Sequence, residues 1–273
     1  MLPREPMPPL PIERKKLGIA SRVRKTIDVV RNTLGLRQSD ASLTRDAQSW
    51  WEAPSEENQA MYSHWRNAFD DATWFAIGQQ TFDLYETFSK SMEFSRPAKR
   101  VIEWGCGGGA NAVHFAREAD TFIGVDVAQV SLDECDKQLK REGMNNFQPV
   151  LIDLSRPEDA LAQIDKPCDL FFCIYVFEAF PSQEYARRVM RVASQLLKPG
   201  AMALIQVKYS TGLTTRSRGW GYKFGVANMT TFRIDEFWQL SAEFGFTPHT
   251  VYLIPKQTLV PDERYAYFFL RKN

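Results

Sequence analysis

The sequence is poor in the residues that build metal centres and covalent cross-links, with four cysteines and three histidines in 273 residues. Cys106, Cys135, Cys168 and Cys173 form no Cys-x-x-Cys pair. That argues for free thiols in a reducing compartment and against a zinc site or a disulfide framework. No apolar run approaches the length of a membrane span. An apolar secretory leader is also missing, because Pro3, Pro6, Pro8, Pro9 and Pro11 break up the N-terminus. A soluble, cytoplasmic protein without a metal is the expectation. The net charge of +1 shows no excess of one sign that would point to nucleic acid or an acidic partner.

What the sequence has is a segregated charge pattern. Between Glu13 and Arg37 lie Arg14, Lys15, Lys16, Arg22, Arg24, Lys25, Arg31 and Arg37 against only Glu13 and Asp28. The rest of the chain is mildly acidic. In this basic stretch Leu17, Ala20, Val23, Ile27, Val30 and Leu34 recur at helical spacing, which predicts an amphipathic helix over 13–34. Its apolar stripe suits packing on the rest of the chain, pairing with a second copy in a homodimer, peripheral contact with the inner face of a membrane, or nucleic-acid docking. Residues 1–12 read as a flexible Pro-rich arm. Shorter helices follow at Arg45–Glu52, Ser55–Phe69 and Asp71–Ser91, dense in Trp, Tyr and Phe. Residues 13–96 are thus a helical extension ahead of a second domain, 97–273.

Past Pro97 short apolar runs alternate with helical stretches. Strands are predicted at Arg100–Trp104, Thr121–Val125, Gln148–Ile152, Asp169–Ile174 and Met202–Val207. Helices are predicted at Gly109–Glu118, Gln129–Glu142, Glu158–Ile164, Gln183–Leu197 and Arg233–Phe244. Such alternation marks a parallel sheet. Two last strands, Thr247–Ile254 and Arg264–Arg271, are joined by too few residues for a crossover helix and should pair antiparallel.

In Val101-Ile102-Glu103-Trp104-Gly105-Cys106-Gly107-Gly108-Gly109 a strand end meets alternating glycines and then a helix. Small residues there let the backbone approach a ligand, and the helix start offers unpaired N–H groups. Seventeen residues past Gly109 the next strand ends in Asp126, which can accept both hydroxyls of a ribose. The following strand ends in Asp153, placed to receive an adenine amino group. A nicotinamide dehydrogenase would want its third glycine at Ala110 and rarely ends in an antiparallel hairpin.

Glu103-x-Gly105-x-Gly107-x-Gly109, Asp126 and Asp153-Leu154 resemble the cofactor signature of class I S-adenosylmethionine-dependent methyltransferases. The turn Leu196-Leu197-Lys198-Pro199-Gly200 resembles that family's link into its fifth strand. The resemblance covers roughly Arg100 to Arg271. It implies a doubly wound α/β fold: a seven-stranded, mostly parallel sheet with a C-terminal antiparallel hairpin. It implies S-adenosyl-L-methionine as cofactor, with Gly105, Gly107 and Gly109 along its methionine part, Glu103 on its ammonium, Asp126 on the ribose and Asp153 on the adenine.

After the fourth strand comes Tyr175-Val176-Phe177-Glu178-Ala179-Phe180-Pro181. This segment lacks the Asn/Asp-Pro-Pro-Tyr/Phe/Trp arrangement used on nucleobase amines, and it lacks a Pro-Cys pair. Nucleic-acid methylation is disfavoured accordingly. Glu178 is the first candidate for a general base toward a hydroxyl acceptor, and His64 the second. His114 and His249 read as structural. A long segment from Tyr209 to Gly225 carries Arg216, Arg218, Trp220, Tyr222, Lys223 and Phe224, and reads with the aromatic helices as a lid over the acceptor. Tyr62, Tyr175, Tyr209, Arg216, Trp220 and Tyr222 are the candidate acceptor contacts. The chain resembles, in a general way, bacterial sugar and natural-product O-methyltransferases. A sugar, glycan or small natural product is the expected acceptor. RNA or protein docking through the basic helix is the alternative, and a cofactor-binding scaffold without turnover a third.

Overall fold

The computed structural model describes residues 19–52, 69–94, 97–260 and 262–273, with the side chains of 19–22, 24 and 25 outside that set. Helices α1 (Ile19–Thr33), α2 (Asp40–Trp51) and α3 (Asp71–Ser91) come first. Strands and helices then alternate through β1 (Arg100–Trp104), α4 (Ala112–Phe115), β2 (Thr121–Asp126), α5 (Gln129–Arg141) and β3 (Phe147–Leu151). The alternation continues with α6 (Ala160–Gln163), β4 (Cys168–Cys173), α7 (Gln183–Leu196) and β5 (Leu197–Lys208). After α8 (Ile234–Glu243) the chain closes with β6 (Phe246–Lys256) and β7 (Glu263–Lys272). The expected Pro-rich arm, the start of the basic helix and nearly all of the Ser55–Phe69 helix lie outside the described residues.

The seven strands run in the order β3-β2-β1-β4-β5-β7-β6. Strands β1 to β5 are parallel, and β7 is antiparallel to both β5 and β6. The sheet is doubly wound. Its order reverses between β1 and β4, and a crevice opens at the carboxyl ends of such a pair.

Strand alternation here divides two apolar layers rather than core from solvent. In β7, Tyr265, Tyr267 and Phe269 join one layer, and Ala266, Phe268 and Leu270 the other. Helices α3, α4 and α5 cover the face of Tyr265, Tyr267 and Phe269, and α2, α7 and α8 the face of Ala266, Phe268 and Leu270. Burial on both faces is why the central strands β1, β2, β4, β5 and β7 read as near-continuous apolar runs, whereas the edge strands β3 and β6 are partly exposed.

Several boundaries differ from expectation for local reasons. Helix α2 starts at Asp40, ahead of the expected Arg45, because the Ser39 hydroxyl accepts the Ser42 N–H and caps it. Strand β5 begins at Leu197 and takes in the Lys198-Pro199-Gly200 turn. Only Ala112–Phe115 of the first long crossover helix forms an α-helix, because the glycine loop runs on further. Gly78, mid-helix in α3, has a steric cause: a Cβ there would lie 1.8 Å from the Ala110 carbonyl oxygen. The α3 backbone is thereby seated on the exit of the glycine loop. A Pro-Cys pair does occur, at Pro167-Cys168, but it opens β4 at the edge away from the crevice, and Cys168 is buried in the core.

Candidate cofactor and acceptor site

Strand β1 delivers Glu103 and then folds back through glycines that adopt left-handed backbone: Gly105 at φ +76°, Gly107 at +50° and Gly109 at +91°. A side chain at Gly105 would come within 2.5 Å of Val176 Cγ2, so the loops after β1 and β4 abut and close one side of the crevice. The Asp126 carboxylate, at the end of β2, is aimed by two backbone donors. Gly107 N–H donates to it at 3.0 Å and Ala128 N–H at 2.9 Å. Burial raises its carboxyl above the ordinary range, and those donors partly offset this.

Glu103 is buried at 1% exposure, and Asn111 Nδ2 donates to its Oε1 at 2.6 Å. Glu103 Oε2 and Asn111 Oδ1 are both buried with no hydrogen-bond partner among the described residues. Burial holds the Glu103 carboxyl well above its usual range. Two orphaned acceptors on a desolvated carboxyl and an amide suit a cationic donor such as an ammonium, whose arrival would restore the charged carboxylate.

These groups line one cavity enclosing about 940 Å³ of non-protein space, its open mouth included. Val127, Ile152 and Leu154 border it near Asp126, an apolar slot for a flat ring. Strand-like alternation sends Asp153 elsewhere. Its carboxylate accepts the Ser155 N–H and hydroxyl, both at 2.7 Å, which holds it below its usual range. Glu103, Gly105, Gly107 and Asp126 therefore come together at the cavity, and Asp153 does not line it. Gly109 sits behind it, against Cys135. Asn111, Trp51, Ile77 and Tyr185 line it without having been singled out in the sequence. An ammonium site, a ribose-type acceptor and a ring slot in sequence fit S-adenosylmethionine.

The acceptor candidates separate as well. Tyr175, strained at φ +59°, lines the cavity. Tyr222 is buried, accepting from Trp51 Nε1 at 2.8 Å and donating to the Ala179 carbonyl at 2.5 Å. The Trp220 indole N–H is held by Asp28 at 3.0 Å, and Tyr209 takes the Arg264 guanidinium on its carbonyl at 2.7 Å. Arg216 is exposed. The segment read as a lid is a strap, because its aromatic polar atoms are used in holding α1 and α2. Tyr62 and His64 lie outside the described residues. His114 is buried, with Nε2 3.0 Å from the Phe75 carbonyl oxygen, and His249 lies in β6.

Glu178 is displaced from its expected role as a base in direct contact. The short turn after β4 presents Val176, Ala179 and Phe180 to the cavity, and Glu178 is not among the lining residues. Its Oε1 instead accepts the Tyr265 hydroxyl at 3.2 Å, beside the ion pair of buried Lys208 with half-buried Asp262. Burial, offset by Lys208, pushes its carboxyl up to about 7. Among the described residues no group of His, Cys, Asp or Glu is arranged to hold a metal ion.

A family model described as a methyltransferase domain matches residues 77–251. The mRNA cap guanine-N(7) methyltransferase of Saccharomyces cerevisiae is 29% identical over 119 residues, 40% of this chain and 27% of that protein. A ubiquinone biosynthesis O-methyltransferase of Neisseria meningitidis is 30% identical over 105 residues, 38% of this chain and 42% of that protein. The chain thus spans less than half the length of these curated relatives. Among solved structures, magnesium protoporphyrin IX methyltransferase from Synechocystis PCC 6803, with S-adenosylhomocysteine bound, superposes with a TM-score of 0.59 at 12% identity, covering 85% of this chain and all of that one. An N-methyltransferase from Bradyrhizobium japonicum gives 0.55 at 13% identity, over 84% of this chain and 98% of the other. At such identities they show a shared fold. The family match and this fold identify the chain as a member of the class I S-adenosylmethionine-dependent methyltransferases.

Proposed function

We propose that this methyltransferase acts on a hydroxyl of a small molecule with an apolar or aromatic body, a natural product before a sugar or glycan. One observation carries the reading. Apart from Glu103, Asn111, Asp126 and Ser131, the cavity wall is apolar or aromatic, with Trp51, Ile77, Tyr175, Val176, Phe180 and Tyr185 on it, and among the described residues no Lys or Arg lines it. A phosphate-bearing acceptor would call for cations there. In this reading Glu103 and Asn111 hold the cofactor's ammonium group, and Asp126 its ribose.

The bound cofactor supplies an electrophilic methyl group. The chain's part is to hold the acceptor oxygen in line with it and to keep water out, which supplies much of the rate. Glu103 and Asp126, the carboxylates on the cavity wall, are taken up by the cofactor in this assignment. A phenolic hydroxyl, which ionises more readily than that of a sugar, suits a wall with no further carboxylate among the described residues. His64 is the proposed base. Glu178 is a positioning residue, acting through the turn that carries Val176, Ala179 and Phe180.

The test is a mass-spectrometric screen with methyl-labelled cofactor over phenolic natural products, glycosides, RNA and protein. Label is expected in hydroxylated small molecules, on oxygen. Label entering RNA or protein instead, with binding that falls steeply with salt, would overturn the assignment and favour docking through the basic helix.

A further inference from the structure

Helix α1 is held on one side. Asp28 accepts from the Arg218 guanidinium at 3.1 Å and from the Trp220 indole at 3.0 Å. The Arg31 guanidinium lies 4.8 Å over the Trp220 ring. Just past the helix, Gln38 accepts the Gly221 N–H at 2.6 Å and donates its own backbone N–H to the Gly219 carbonyl at 2.9 Å. These contacts fasten α1 to the strap and fix which face is turned outward.

That outward face is apolar. Val23, Ile27 and Val30, with Leu34 directly after the last helical residue, are 41 to 65% exposed, and Leu36 further on is 49% exposed. On a helix turning about 100° per residue they fall within a sector of about 60°. A single exposed aliphatic residue needs no explanation, but four aligned on one stripe mark an interaction surface. Arg22 and Arg24 occupy helix positions on either side of this stripe, and the sequence upstream adds Arg14, Lys15 and Lys16. Among the described residues no helix is long and apolar enough to cross a membrane.

We propose that α1 docks the enzyme on an anionic lipid surface, with Val23, Ile27, Val30 and Leu34 in the headgroup region and the flanking arginines on lipid phosphates. Charge selects lipid over a second copy of the chain. Two such helices paired stripe to stripe would bring basic flanks together, and the helix's one acidic side chain, Asp28, is already engaged by Arg218 and Trp220. Like charges across an interface oppose association. With no aromatic residue in the stripe, insertion is shallow and attachment depends on salt. The strap fastened to α1 carries Tyr222, bonded to the cavity residues Trp51 and Ala179. Docking would therefore bring the cavity wall near the bilayer. This inference goes beyond the acceptor assignment and does not depend on it.

Co-sedimentation of the full chain with vesicles of phosphatidylglycerol and phosphatidylcholine, against phosphatidylcholine alone, tests it. Binding to the anionic vesicles is expected, falling as salt rises. An Ile27→Ser, Val30→Ser double variant and an Arg22→Glu, Arg24→Glu double variant should each bind at least about tenfold more weakly. Both should keep wild-type affinity for S-adenosylmethionine, which shows that the fold survives. Three results would overturn the proposal: no binding to either vesicle, binding unaffected by both double variants, or a dimer in sedimentation velocity that the serine variant dissolves.

Discussion

Asp126→Ala is expected to weaken S-adenosylmethionine binding by about 2–4 kcal/mol, roughly thirtyfold to a thousandfold, the range for losing charge-assisted hydrogen bonds to two hydroxyls. The wild-type carboxylate is pre-aimed by the Gly107 and Ala128 N–H groups, so little ordering cost is left for binding. Its removal also leaves those two donors without their acceptor and loosens the glycine loop. Asp126→Asn should lose less, because the amide oxygen still accepts one of them. Isothermal calorimetry measures both losses directly. Undiminished affinity in the alanine variant would remove Asp126 from the cofactor site.

Glu178→Gln is expected to stabilise the fold while impairing turnover. The buried carboxyl ionises at about 7 against an ordinary 4.5. Between those values the unfolded chain releases the proton and the folded chain keeps it, so stability falls as pH rises through the window. Above it the native state carries a buried charge that costs about 3 kcal/mol. The glutamine variant should therefore be more stable than wild type by up to about 3 kcal/mol near pH 8, and by less than about 1 kcal/mol near pH 5. Denaturant unfolding at the two pH values reads this out. If Glu178 positions the cavity wall, turnover should drop at least about tenfold with cofactor affinity intact. The pH profile of turnover should differ between the two, because only the wild type adds the titration of Glu178 near 7 to that of a histidine base. A variant less stable than wild type at high pH, or an unchanged pH profile, would contradict this assignment.

The glycine loop and the sheet were legible because each rests on local chemistry. Alternating glycines after a β-strand leave few other conformations, and strand–helix alternation admits few topologies. What lay hidden depends on orientation and on distant partners. One residue of strand-like register decides that Ile152 and Leu154 face the cavity and Asp153 faces Ser155. A short turn decides in the same way that Ala179 faces inward while Glu178 meets Tyr265. Trp220 and Tyr222 read as flat faces for an acceptor, but their polar atoms pair with Asp28 and Trp51, 192 and 171 residues away. No local pattern announces such pairings. Asn111 was the nearest miss. A polar side chain where the glycine loop turns into a helix could have been marked as a partner for Glu103, which is otherwise an unpaired buried acid.

A crystal structure with S-adenosylhomocysteine bound is the most direct test of the cofactor placement. The amino group should lie on Glu103 Oε2 and Asn111 Oδ1, the ribose hydroxyls on Asp126, and the adenine beside Ile152 and Leu154. A ligand bound with its ribose away from Asp126, and with Glu103 Oε2 still unpaired, would contradict it.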